Sequence, residues 1–113
     1  MISVTITKDR NGIFKQLECD GHAGFDEYGK DIVCSAVSML VINTINSIEE
    51  IAGCDMNLSQ NPDNGYILMS LKDGNSEDSV RDASLFADSL ILGLKGVIKE
   101  YGKKYVSLVI KEV

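Results

Sequence analysis

The sequence predicts a single α+β domain with the element order ββαββαβ, a mostly antiparallel sheet packed with two helices. Three observations predict it. Apolar residues alternate with polar ones near both ends of the chain. Two long segments carry apolar residues at three-and-four spacing. Turn formers punctuate the stretches between them. A length of 113 residues suits one core, so the domain is taken to run over 1–113.

The elements follow in order. Ile2, Val4 and Ile6 alternate with Ser3, Thr5 and Thr7, the period of a half-buried strand. Asp9-Arg10-Asn11-Gly12 is a hairpin turn, and 13–18 reads as the antiparallel return. The segment 32–52 predicts a helix, with Val33, Ala36, Val37, Leu40, Thr44, Ile48 and Ile51 on its stripe. Val41, Ile45 and Ala52 widen that stripe, so the helix is expected to be covered on most sides. Gly53 stops it. Two strands, 55–60 and 66–72, flank the turn-rich Asn61-Pro62-Asp63-Asn64-Gly65. Ser76 caps a second helix whose stripe runs from Val80 to Tyr101 and which Gly102 ends. Gly93 and Gly96 within it read as close-contact points where the helices cross. The segment 105–113 alternates again and is the last strand.

Composition narrows the class. Hydrophobic residues make up 44% and charged residues 25%, an ordinary globular balance. No apolar stretch reads as long enough to span a bilayer, and the first residues alternate instead of forming a signal-type core. The three cysteines, Cys19, Cys34 and Cys54, show no disulfide framework, which fits a reducing, cytoplasmic location. The net charge of -6 argues against direct nucleic-acid binding and favours a basic partner.

The chemistry concentrates between Gly21 and Ser38. This stretch holds His22, the single histidine, and Cys34. Asp31 reads as an N-cap, with Cys34 in the first helical turn. The partnerless N–H groups of that turn create a positive potential that favours a thiolate. An imidazole from the Gly-rich loop gives such a sulfur its base. The same N–H groups, or those of Gly21, Ala23 and Gly24, form an oxyanion hole. Ser38 falls one turn after Cys34. Each residue also has a plain reading: Cys34 as a small core side chain, His22 as a loop side chain, Ser38 as a small packing residue. Asp31 either caps the helix or orients His22. The segment 23–30 reads as a lid, with Phe25 and Tyr28 as substrate contacts or anchors.

Gly21-His22-Ala23-Gly24, followed by Asp31-Ile32-Val33-Cys34-Ser35-Ala36-Val37-Ser38, resembles the signature of the ribosomal-processing cysteine protease family, Prp. The similarity extends to length and element order. It implies that His22 and Cys34 are a catalytic dyad, with Ser38 supporting. It implies an endopeptidase that removes a short N-terminal extension from a large-subunit ribosomal protein, needs no cofactor or metal, and forms a homodimer. Leu85 and Leu92, off the stripe of the second helix, are scattered surface leucines or part of such a dimer face. Two other functions compete: a metal site built on Cys19-x-x-His22 with Cys34 and Cys54, and a noncatalytic ribosome-assembly module.

Overall fold

The computed structural model describes residues 1–21 and 28–113, with residues 28–31 given as helical backbone. Seven elements follow one another: β1 (Ile2–Lys8), β2 (Phe14–Asp20), α1 (Tyr28–Glu50), β3 (Met56–Asn61), β4 (Tyr66–Leu71), α2 (Glu77–Tyr101) and β5 (Val106–Glu112). The predicted order ββαββαβ holds.

The five strands form one sheet in the order β3-β4-β2-β1-β5. Three pairings are antiparallel, and β1 with β5 is parallel. Alternation fixes which face is buried. Ile2, Val4 and Ile6 share a face with Leu17 and Cys19 of β2, Met69 of β4 and Val106 of β5. Those residues join Val33, Val37, Val41, Ile45 and Ile48 of α1 and Ala83, Ala87, Leu90 and Leu94 of α2 in one core. Both helices therefore cover the same face. The other face carries Ser3, Thr5, Gln16, Glu18 and Ser70, half-buried or exposed.

Local chemistry sets the joints. In the β1–β2 turn the Asp9 carboxylate accepts N–H bonds from Asn11 at 2.8 Å and Ile13 at 3.0 Å. The bond from Ile13 is the main cause that holds this acid below its usual range. Ser76 caps α2 by accepting the Ser79 N–H at 3.1 Å, and Gly102 closes it. Gly53, at φ 70°, reverses the chain after α1, and the Cys54 N–H returns to the Ile48 carbonyl at 3.1 Å.

Four expectations are corrected. First, α1 begins at Tyr28, four residues before the expected start. Gly29 lowers helix propensity by about 1 kcal/mol, a penalty that the continuing backbone ladder outweighs. Second, α1 is not covered on most sides. Met39 and Ile42 face outward, and Ile51 is exposed because it lies past the helix end. Third, the glycines of α2 differ. A Cβ at Gly93 would sit 3.1 Å from Leu40 Cδ2, so this is where the helices touch, whereas Gly96 faces open space. Fourth, Ile32–Glu50 is long and apolar enough, at a mean hydropathy of 1.5, to cross a membrane by length and composition. Its inner face packs on the sheet and beside α2, and 39% of the segment is buried.

Candidate active site

Cys34 is the seventh residue of α1. Val33 and Val37 on either side are wholly buried and pin this part of the helix to the sheet. That leaves the Cys34 side chain half-buried at the margin of the core. The other two thiols differ. Cys19 is 6% exposed and Cys54 3%. Cys54 donates to the Ser79 carbonyl at 3.3 Å, a bond that ties the end of α1 to the start of α2.

Cys34 lines a cavity of about 210 Å³. Its helical wall is Cys34, Val37, Ser38, Val41 and Ile42, and its floor is Ile2 of β1 with Cys19 and Gly21 at the end of β2. The far wall is the β3–β4 hairpin, with Gln60, Pro62, Gly65 and Ile67. The hairpin arrives there because β4 pairs with β2, with Cys19 opposite Ile67. The lining is mostly apolar and open to solvent, suited to an extended peptide's side chain. Ser38 stands one turn beyond Cys34 and lines the same cavity.

Gly21 is needed where it stands. Its φ is +109°, and a Cβ there would lie 2.5 Å from the Met1 carbonyl oxygen. The close backbone approach expected of this Gly-rich stretch is realised against the first residue. His22, Ala23, Gly24 and Phe25 lie outside the described residues, as do the side chains of Tyr28 and Asp31.

The longer helix changes two expectations. Residue 31 stands in the first turn of α1 instead of at its cap. Cys34 is correspondingly in the second turn, past the four N–H groups that lack a helical partner. Its own amide is therefore committed to the helical ladder.

Cys54 cannot join Cys19, His22 and Cys34 in the expected metal set. Cys54 lies beyond the far end of α1, with roughly 24 Å of helix between Cys34 and Glu50 alone. Those two thiols cannot ligate one ion. Among the described residues no group of three or more His, Cys, Asp or Glu side chains is disposed to hold a metal.

Burial raises the Cys19 thiol to about 11, with the neighbouring charges of Cys34 and Asp20 adding to it. Sequence reasoning weighed Cys19 only as a ligand. It also took 61–65 as a mere turn, because nothing local says that the hairpin folds against Cys34.

A half-buried thiol on the wall of an apolar cleft in a small α+β scaffold suits a thiol-dependent enzyme, and comparison with known proteins makes it a cysteine protease. The model of the cysteine protease Prp family matches residues 1–107, and the chain belongs to that family. The ribosomal processing cysteine protease Prp of Bacillus subtilis is 28% identical over 101 residues, 89% of this chain and 90% of that protein. A Streptococcus mutans protein of solved structure superposes with a TM-score of 0.85 at 32% identity, covering 100% of this chain and 96% of that one. The essential ribosomal processing protease Prp of Staphylococcus aureus, solved with a substrate peptide, gives 0.84 at 25% identity and covers 98% and 100%. A noncatalytic module is not favoured.

Proposed function

We propose that this protease removes a short N-terminal extension from a large-subunit ribosomal protein during ribosome maturation, with Cys34 as the nucleophile and His22 as its base. The observation that carries it is the cleft. Cys34 alone among the three thiols stands half-buried on its wall, one turn before Ser38. The family match and the peptide held by the Staphylococcus aureus protein support the peptidase reading. The relatives named ribosomal processing protease support the substrate.

In the reaction the Cys34 sulfur attacks the scissile carbonyl and His22 takes the thiol proton. The tetrahedral oxyanion is held by backbone N–H groups of Gly21, Ala23 and Gly24. His22 then protonates the leaving amine, and water releases the acyl-enzyme with the same residue as base. Asp31, no longer the cap of α1, is given the role of orienting His22, and Ser38 supports the sulfur from one turn away. The acidic chain, net charge -6, draws in the basic substrate without contacting nucleic acid itself. It works in the cytoplasm as a homodimer.

The test is incubation with the extended ribosomal protein, followed by mass measurement of the products. Wild type gives two fragments. Cys34→Ala and His22→Ala each lose at least about 10³-fold in rate with an unchanged melting temperature. Brief alkylation labels Cys34 before the buried Cys19 and Cys54. Retained cleavage by Cys34→Ala, or equally slow labelling of all three thiols, sinks the assignment.

A further inference from the structure

Cys19 has no part in that reaction, yet it lines the same cavity as Cys34. The register explains why. Cys19 stands opposite Val4 of β1 and Ile67 of β4, so its side chain points to the helix-covered face. Two thiols on the floor and wall of one 210 Å³ space are a different object from a lone cysteine. A space of about 210 Å³ is several times the roughly 30 Å³ share of one water, room enough for hydrogen peroxide. The proximity has an electrostatic signature as well: charge at Cys34 is the second cause, after burial, that raises the Cys19 thiol. Cys54 cannot compete, being held at the opposite end of α1 by Ser79.

We infer that Cys19 and Cys34 form a reversible dithiol–disulfide site, in which a peroxide oxidises Cys34 and Cys19 resolves it, switching the protease off and sparing its nucleophile. The inference takes from the proposed function only that Cys34 is the reactive thiol. In the first step the Cys34 sulfur displaces hydroxide from hydrogen peroxide, giving the sulfenic acid and one water. In the second the Cys19 sulfur attacks the Cys34 sulfur. The S–S bond forms, the S–O bond breaks, and the Cys19 proton leaves with the hydroxide as a second water. A dithiol reductant returns both thiols and is itself oxidised to a disulfide. Burial keeps Cys19 protonated, so the oxidant reaches Cys34 first. Once Cys34 is a neutral sulfenic acid, one of the influences suppressing Cys19 ionisation is gone. A disulfide needs Cα atoms roughly 4.4–6.8 Å apart, so any gap between β2 and α1 is closed by local adjustment as the bond forms. Both residues stand near element ends, where such adjustment is least costly: Cys19 just before Asp20 closes β2, Cys34 in the second turn of α1.

The experiment treats the reduced wild-type protein with stoichiometric hydrogen peroxide and maps its peptides without reduction. The expected product is one intramolecular Cys19–Cys34 crosslink, a mass lower by two hydrogens, and Cys54 still alkylatable. Activity falls about tenfold or more and returns with dithiothreitol. In Cys19→Ala, measured against its own untreated activity, peroxide carries Cys34 to sulfinic acid and dithiothreitol restores less than about a tenth of that activity. Sulfinic Cys34 in wild type with Cys19 still free, or crosslinks only between molecules, overturns the inference. The mass readout needs no substrate, so it stands or falls apart from the peptidase assay.

Discussion

Cys19 carries a stability consequence of its own. Its folded thiol sits at about 11 against an ordinary 9.0, raised by burial first. Between those values the unfolded chain has released the proton and the native state still holds it. Stability is therefore fully present below about pH 9 and is lost as pH rises toward 11, by on the order of 2–3 kcal/mol. Urea unfolding at about pH 8 and about pH 10.5 checks this. Wild type should lose roughly 2 kcal/mol more than Cys19→Ala between the two conditions, and an equal loss refutes it. At this scale the sequence was uneven. Cys34 and Ser38 share a cleft because helical residues four apart share a face, which spacing alone reveals. Cys19 was opaque, because its partner Ile67 is set by strand pairing across 48 residues.

Among the elements, the two glycines of α2 make a paired test. Gly96 faces open space, so Gly96→Ala recovers helix propensity and should stabilise by roughly 0.5–1 kcal/mol. Gly93 touches Leu40, so Gly93→Leu overpacks the crossing and should destabilise by about 1–3 kcal/mol. Thermal melts of the two variants should move in opposite directions, and movement the same way contradicts the assigned contact. Element types were legible throughout, since each rests on a local period: alternation in Ile2–Lys8, three-and-four spacing in Glu77–Tyr101. The start of α1 was not. Gly29 looks like loop, and the sequence holds no signal that the backbone continues through it.

At the scale of the whole molecule, charge makes the prediction. A chain of net charge -6 should meet a basic ribosomal precursor faster at low salt. Raising ionic strength from about 0.05 M to about 0.5 M should lower kcat/KM for the full precursor severalfold, and for a short neutral peptide hardly at all. Equal salt dependence would mean that steering plays no part. Strand order was the least legible property. Nothing local tells β4 to join β2 or β5 to join β1, because such choices are made by the packing of both helices on one face. The parallel partnership of Ile2 with Val106 has a further consequence, for biosynthesis. A chain growing from its amino end can build its first hairpin early, but the neighbour that seals the flank of that hairpin, β5, is made after every other described element. Closing so wide a loop is entropically slow. The cleft floor contributed by Ile2 is thus secured only once β5 has been made, and a nascent copy that lacks this strand holds no finished cutting site.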